Sequence, residues 1–274
     1  MSLGHNGPMN TTTELLQDGE LRHSRDARGL HVLTLNSPAT FNALGESMLE
    51  ALQQAIARVA ADDTARVVVL GAEGKAFCAG HNLKEMKAHP ELAYYQQLFA
   101  QCTRMMMALR KLPVPVIARV QGIATAAGCQ LVAQCDLAVA AEGVKFGVNG
   151  IDVGLFCATP SVPLSRNMQP KQAMEMLVTG GFIDAAEAQR RGLVNRVVLA
   201  QQLDAEVEAL VQAILAKPRL ALAMGKQLFY QQAEMGIEAA YQLAGQTMAC
   251  NMIDEVAQEG VQAFIDKRSP SWRV

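Results

Sequence analysis

The sequence predicts an α/β fold in which short strands alternate with longer helices around a sheet. Runs rich in β-branched residues recur along the first part of the chain, at 31–35, 67–70, 115–120, 137–140 and 197–199. Such short apolar runs are typical of buried strands. Helical patterns fill the intervals between them, and after about residue 201 only helical patterns follow.

Two helices are predicted to pack on this sheet, over residues 47–60 and 94–112. In both segments apolar side chains recur every three or four positions, which places them on one helix face. They are Met48, Leu49, Leu52, Ile56 and Val59 in the first segment, and Leu98, Met105 and Leu109 in the second. Each helix therefore has an apolar face for the sheet.

The region after residue 201 is predicted to be helical, over 203–216, 218–232, 237–252 and 254–267. Pro218 suits the first position of its helix, where a missing N–H loses no hydrogen bond. A region of this kind either caps the core or makes subunit contacts, and composition leaves both open. We therefore expect a core over 13–200, a helical subdomain over 201–274, and an expression tag or disordered segment over 1–12.

Composition favours a small molecule as the partner of this protein. The 274 residues carry a formal net charge of −2 and no long basic run, so neither nucleic acid nor a membrane surface is expected. No apolar run could cross a bilayer and the polar first residues lack a secretory signal, which predicts a cytoplasmic protein. The six cysteines form no CxxC pair and the histidines show no ligand spacing, which predicts reduced thiols and no metal site.

The segment 71–86 is the first that suggests chemistry, because it leaves a strand, runs through small residues and enters a helix. Small residues let a ligand approach the backbone, and Asn82 followed by Glu85 indicates a helix start related to the capping box. N–H groups near His81 would then favour an oxyanion. A tight turn that needs glycine for geometry alone is the alternative, and this segment by itself leaves it open.

The segment 120–136 repeats the same order of strand, small residues and helix. A second helix start would supply a second set of free N–H donors. An Ala/Gly face for close helix packing is the alternative interpretation.

Together the two segments resemble the signatures of the crotonase (enoyl-CoA hydratase/isomerase) superfamily. Residues 77–85 read FCAGHNLKE, similar to FxAGxDLKE, and residues 122–130 read GIATAAGCQ, similar to GxAxGGGxE. Further matching pieces are FNAL at 41–44, AMEMLVTG at 173–180, AAEAQRRGLV at 185–194 and EGVQAFIDKR at 259–268. The resemblance covers nearly the whole chain, and it looks closest to the subgroup of the third enoyl-CoA hydratase domain-containing protein of mitochondria and its bacterial relatives.

The resemblance implies a crotonase-like spiral of ββα units with a C-terminal helical trimerisation region, assembled as a homo-trimer or hexamer. It also implies an acyl-CoA substrate and no separate cofactor, since coenzyme A is part of the substrate. By the same similarity, the backbone N–H groups of His81 and Ala127 would form an oxyanion hole. Residues along the coenzyme A channel would be Ala43, Ala79, His81, Asn82, Leu83, Lys84 and Ala127.

The sequence departs from the family at both carboxylates that hydration of an enoyl thioester needs. Gln130 stands in the place of one glutamate, and its amide cannot take a proton from water at neutral pH. Gly150 stands in the place of the other. Each acid or base group typically contributes about 10²–10⁴ in rate, so we expect at most slow hydration.

Other side chains are weaker candidates for the missing base. Asp152 would share a face with position 150 if the segment is extended, although a turn carboxylate satisfied by backbone N–H groups is the plainer interpretation. His81 titrates near neutrality, but its implied role uses its backbone alone. Cys129 and Cys157 flank the expected pocket, and their apolar neighbours favour packing over nucleophilic chemistry.

Three functions therefore remain open from the sequence. The first is an acyl-CoA enzyme of hydratase/isomerase type, and the second is another enolate reaction, such as decarboxylation of a malonyl-type thioester, which needs no base. The third is a non-catalytic acyl-CoA binding protein. A purely structural role is hard to reconcile with two retained hole segments.

Overall fold

The computed structural model describes residues 13–17 and 19–273, so the predicted tag or disordered segment 1–12 lies outside the described residues. The strands are β1 Thr13–Gln17, β2 Leu21–Asp26, β3 Leu30–Leu35, β4 Val67–Ala72, β5 Ala76–Cys78, β6 Val116–Val120, β7 Ile123–Thr125, β8 Leu137–Ala141, β9 Lys145–Gly147, β10 Ile183–Asp184 and β11 Arg196–Val198. The helices are α1 Glu46–Ala61, α2 Leu83–Ala88, α3 Leu92–Lys111, α4 Ala127–Gln134, α5 Ala158–Asn167, α6 Pro170–Thr179, α7 Ala185–Arg190, α8 Leu203–Leu215, α9 Arg219–Gln232, α10 Ile237–Met252 and α11 Glu255–Ile265.

A seven-stranded sheet forms the centre of the fold, in the order β1-β2-β3-β4-β6-β8-β11. Strands β1 to β3 pair antiparallel, and the strands from β3 to β11 pair parallel. Every residue of β4 is buried, as expected for a parallel strand covered on both faces. Helix α1 contacts β2 and β3, and α8 contacts β4, β6 and β8.

A second, four-stranded sheet has the order β10-β9-β7-β5. Strands β4, β6 and β8 of the large sheet are each followed along the chain by a short strand of the small sheet, and then by helix. This repeated strand-strand-helix order is the spiral of ββα units that the resemblance implied. The fold prediction is confirmed.

The helices after β11 lie where the sequence predicted them, and they end within two residues of the expected positions. Helix α8 packs on the large sheet, whereas α9, α10 and α11 leave many large apolar side chains exposed. Among these are Phe229, Ile237, Tyr241, Met248 and Phe264. The division into core and subdomain stays a prediction.

No helix in the described part of the chain is long and apolar enough to cross a membrane. All six cysteines are free thiols, and all but Cys250 are buried.

Candidate functional site

Two turns meet at the carboxyl ends of β5 and β7, which pair in parallel. Gly80 has φ +90°, and a β-carbon there would lie 2.9 Å from the Ala126 β-carbon and 3.2 Å from the Ala127 nitrogen. Only glycine therefore fits this backbone conformation and this contact. Gly128 allows α4 to lie close to the end of β5, since a β-carbon at this position would collide with the Cys78 carbonyl group.

Ala126 holds a strained backbone conformation, with φ 49° and ψ −121°. Its N–H donates to the Gly147 carbonyl at 2.9 Å, and its carbonyl accepts from the Gln130 N–H at 3.0 Å. Strain of this kind persists only where surrounding structure over-determines it, and it often occurs at functional sites. Here it sets the direction in which the chain enters α4 at Ala127.

The backbone N–H groups of His81 and Ala127 have no hydrogen-bond partner within the described residues. The turn that carries His81 is held by two bonds to Leu44. The Leu44 N–H donates to the Gly80 carbonyl at 2.8 Å, and the His81 Nδ1–H donates to the Leu44 carbonyl at 3.1 Å. The site thus offers two backbone donors without a partner among the described residues, on turns that contact each other.

The His81 ring has a defined tautomer, because a carbonyl oxygen is the partner of Nδ1. Nε2 is therefore an acceptor, and it is buried without a partner in the part of the chain that the structure describes. The Phe99 ring meets the imidazole edge-on, with centroids 5.4 Å apart. Burial lowers the pKa of His81, which keeps the ring neutral near neutral pH.

A cavity of about 310 Å³ opens beside the two turns. None of the described residues that line it is Asp, Glu, Lys or Arg. Its apolar wall includes Leu83, Met86, Phe99, Leu155, Phe156 and Pro160, and its polar side chains are His81, Thr125, Asn149 and Thr159. Pockets of this kind, largely apolar with a few placed polar groups, are typical of small-molecule sites.

The structure brings five of the predicted site residues to this cavity and leaves five outside its lining. Those that line it are Ala79, His81, Leu83, Ala127 and Gly150. Those outside the lining are Ala43, Asn82, Lys84, Gln130 and Asp152. Asn82 caps α2, accepting hydrogen bonds from the N–H groups of Lys84 and Glu85. The Lys84 side chain is exposed.

The two positions of the missing glutamates differ in the space around them. Gln130 is 5 % exposed, and its Oε1 has no partner among the described residues. The Gly150 N–H donates to the Cys157 Sγ at 3.3 Å. A β-carbon at Gly150 would lie 2.8 Å from that sulfur and closer still to the Leu155 carbonyl oxygen. No glutamate fits at position 150 without movement of residues 155–157.

The geometry expected for Asp152 is wrong. Its proposed role required an extended segment, but Asn149–Val153 forms a 3-10 helix, so Gly150 and Asp152 do not share a face. The Asp152 carboxylate instead lies against Gly180, with Oδ1 2.6 Å from the position a β-carbon would take there. It does not line the cavity.

The two cysteines near the cavity behave as packed thiols. Burial raises the pKa of Cys129 to about 12 and also raises the pKa of Cys157. Neither thiol forms a reactive thiolate at neutral pH. In the described part of the chain, no three His, Cys, Asp or Glu side chains are grouped so that they could hold a metal ion.

Sequence reasoning missed the polar pair of this cavity. The Thr125 hydroxyl donates to the Asn149 Oδ1 at 2.6 Å, and both residues line the cavity. The available signal was a polar residue beside each key position, Thr125 before the Ala126-Ala127 turn and Asn149 before Gly150. Their pairing across the small sheet is visible only in three dimensions.

Comparison with known proteins places this chain in a family. A family model described as Enoyl-CoA hydratase/isomerase matches residues 25–274. The mouse (Mus musculus) Enoyl-CoA hydratase domain-containing protein 3, mitochondrial, is 41% identical over 99% of this chain and 89% of its own length. The crystal structure of an enoyl-CoA hydratase from Mycobacterium smegmatis is 60% identical, with a TM-score of 0.92, over 94% of this chain and 100% of its own. The crystal structure of human enoyl Coenzyme A hydratase domain-containing protein 3 is 40% identical, with a TM-score of 0.89, over 93% and 100%.

The comparison also corrects the expected location. The mouse, rat, frog and human relatives are all named as mitochondrial proteins, so the prediction of a cytoplasmic protein is wrong. That prediction rested on the lack of a recognisable signal in the first residues, and such a lack does not identify a compartment.

Proposed function

This chain belongs to the enoyl-CoA hydratase/isomerase family, and from that premise we propose that it processes acyl-coenzyme A thioesters through a backbone oxyanion hole. The thioester carbonyl oxygen would lie between the N–H groups of His81 and Ala127. The acyl chain would occupy the apolar cavity beside them. The observation that carries this proposal is the pair of unpartnered N–H groups on two touching turns.

The catalytic step follows from where charge develops. When the α-carbon of a thioester becomes carbanionic, negative charge moves to the carbonyl oxygen as an enolate. Two fixed donors hold that oxygen more strongly in the transition state than in the ground state, at roughly 10²–10³ in rate per donor. Ala127 is the first residue of α4, so the positive end of the helix dipole adds to the effect.

The same site is poorly equipped for hydration. A hydratase needs a base to activate water and an acid to protonate the α-carbon. Gln130 offers an amide and Gly150 offers no side chain, while Asp152 lies outside the cavity lining. The neutral His81 ring has an acceptor nitrogen, but that atom is buried. We therefore propose enolate chemistry with weak hydratase activity.

The uncharged cavity favours one second candidate, decarboxylation of a malonyl-type thioester. A carboxylate that enters an apolar cavity loses its hydration, which favours breaking the bond to carbon dioxide. The electron pair of that bond then becomes the enolate, whose oxygen is held by His81 and Ala127. Protonation of the α-carbon by water completes the reaction, and no protein base is required.

We also propose that the chain assembles as a homo-trimer or hexamer through its last helices. The apolar side chains of α10 and α11, such as Tyr241 and Phe264, are exposed in one chain. Large apolar side chains exposed on two successive helices are expected at an interface between subunits. Light scattering on the purified protein tests this, and a monomer at micromolar concentration would contradict it.

A substrate panel tests the proposed function. The full chain is mixed with butyryl-CoA for calorimetry, with crotonyl-CoA for loss of the conjugated thioester absorbance, and with branched malonyl thioesters for carbon dioxide release. Binding together with either turnover supports the proposal. Binding without any chemical change, checked by mass spectrometry, would indicate a non-catalytic binding protein, and no binding at all would refute a thioester role.

A further inference from the structure

The Asn149 side chain is a polar group of the cavity to which the proposed chemistry assigns no task. Its Oδ1 accepts the Thr125 hydroxyl hydrogen at 2.6 Å. Its Nδ2 has no hydrogen bond to any described residue, and Asn149 lines the cavity. The amide therefore has two N–H donors still to be satisfied.

The orientation of the Asn149 amide is fixed by a hydrogen bond at its side chain and by the structure of its backbone. A carboxamide is planar, so holding Oδ1 on Thr125 turns Nδ2 to the opposite side. Thr125 ends β7 and pairs with Gly147 of β9. Asn149 opens the 3-10 helix whose Gly150 N–H is held by Cys157. A donor fixed in this way needs little ordering when a ligand binds.

The surroundings indicate what this donor recognises. It stands beside Gly150 and is held by Thr125, which lies two residues before Ala127 in the chain, and all four residues line the same cavity. We therefore place it near the acyl carbons next to the thioester. Among the other described residues of the lining, none carries a charged side chain. An amide N–H binds an oxygen but cannot take a proton from it.

We infer that Asn149, oriented by Thr125, binds an oxygen on the third carbon of the acyl group. The preferred ligand class is then a 3-oxoacyl or 3-hydroxyacyl thioester, in preference to an unsubstituted acyl thioester of the same length. This inference rests on the proposed function, because it assumes that the thioester carbonyl lies at His81 and Ala127.

Calorimetry with three matched ligands tests the inference. Butyryl-CoA, 3-hydroxybutyryl-CoA and acetoacetyl-CoA share chain length and differ at the third carbon. We expect the two oxygenated ligands to bind about threefold to tenfold more tightly, the equivalent of one neutral hydrogen bond. In N149L that preference disappears, because the oxygenated ligands lose the amide donor and bind no more tightly than butyryl-CoA does to the same variant.

The variant N149D distinguishes ligand recognition by Asn149 from a purely structural role of its hydrogen bond to Thr125. Thr125 can still donate to one carboxylate oxygen, but the other oxygen now accepts and no longer donates. Relative to butyryl-CoA, acetoacetyl-CoA should therefore lose its advantage, and 3-hydroxybutyryl-CoA, which can donate its own hydrogen, should keep it. A purely structural role predicts that N149D binds these two ligands with equal affinity. If N149L does not fold, N149D carries the test alone.

The outcomes separate this inference from its premise. Equal affinity of the wild type for all three ligands would overturn the role of Asn149 and leave the oxyanion hole intact. Failure of butyryl-CoA to bind would overturn the proposed function and this inference with it.

Discussion

A β-carbon at Gly80 would lie 3.2 Å from the backbone nitrogen of Ala127, so the two turns that carry the free donors are in contact. Gly80→Ala should push these turns apart and weaken the hydrogen bonds that their N–H groups donate to the thioester oxygen. We expect turnover of the best substrate to fall by roughly 10²-fold, the value of one oxyanion donor. Steady-state kinetics on the purified variant measure this.

Gly143→Ala is the matched control for that variant. Gly143 also has a left-handed φ, +82°, but a β-carbon there would meet no atom of the described residues within 4 Å. Both variants therefore carry similar backbone strain, of order 1 kcal/mol, and only Gly80→Ala disturbs the site. Equal activities of the two variants would show that the contact between the turns does not matter for catalysis.

The space at Gly150 predicts that a glutamate cannot simply be restored there. Gly150→Ala should lower the free energy of unfolding by about 1–3 kcal/mol, because the new β-carbon overlaps the Leu155 carbonyl oxygen and the Cys157 sulfur. Gly225 lies within α9, and a β-carbon there would have no described atom of another segment within 4 Å, so Gly225→Ala should raise the free energy of unfolding by about 0.5–1 kcal/mol. Chemical denaturation compares the two. A Gly150→Ala variant as stable as the wild type would mean that residues 155–157 move freely.

Lys226 should be the residue that most firmly attaches α9 to the core. Its Nζ contacts the Asp136 carboxylate at 2.7 Å and donates to the Val114 carbonyl at 2.9 Å, with the side chain 7% exposed. Lys226→Met leaves the Asp136 carboxylate, whose side chain is only 15% exposed, without its cation, which should cost about 3 kcal/mol of stability. Adding Asp136→Asn should recover part of that loss.

The exposed pair of Arg166 and Glu234 provides the comparison for Lys226. Its side chains are 47% and 50% exposed, so Arg166→Met should cost under about 1 kcal/mol. Urea denaturation midpoints of the two variants and the wild type measure both losses of stability. A loss for Lys226→Met as small as that for Arg166→Met would refute the anchoring role.

The buried pair His23 and His31 predicts loss of stability in mild acid. Asp62 accepts from the His31 Nε2–H at 3.0 Å, so His31 Nδ1 accepts from His23 at 2.9 Å, and His23 Nδ1 has no partner among the described residues. Burial, with some repulsion from His31, lowers the pKa of His23 to about 4. The unfolded chain takes up protons first, so stability present above the unfolded value of about 6.5 is lost as pH falls toward 4.

Urea unfolding between about pH 7 and pH 5 measures this slope, which should approach 1.4 kcal/mol per pH unit for one histidine. In His23→Leu the slope should decrease, and in His89→Gln, which alters an exposed histidine, it should not change. A slope unaffected by His23→Leu would assign the acid sensitivity to other groups.

The large sheet was predictable because four of its parallel strands, β3, β4, β6 and β8, have five or six residues, which is long enough to show an apolar, β-branched composition. The fully buried β4 was expected as a strand over 67–70 and extends over Val67–Ala72. The strands of the small sheet were not predicted, because β5, β7 and β9 have three residues each, too few to show an alternation of apolar and polar side chains. Strands β1 and β2 were not predicted, because their sequences combine apolar with many polar and charged residues.

The site was predictable where it depends on chain order and not where it depends on distant contacts. The small-residue turns at Gly80 and Ala127 meet because their strands are neighbours in the small sheet. The pairing of Thr125 with Asn149 spans 24 positions, and no periodicity links them. The error at Asp152 has a similar cause, because sequence did not distinguish a 3-10 turn from an extended segment.

Infrared spectroscopy of the bound thioester carbonyl tests the central claim most directly. Two donors on one oxygen weaken the C=O bond and lower its stretching frequency. With isotope-labelled butyryl-CoA, the band should lie below its position in water for the wild type and Gly143→Ala, and return toward it in Gly80→Ala. A bound carbonyl that absorbs at or above its frequency in water would contradict an oxyanion hole formed by His81 and Ala127.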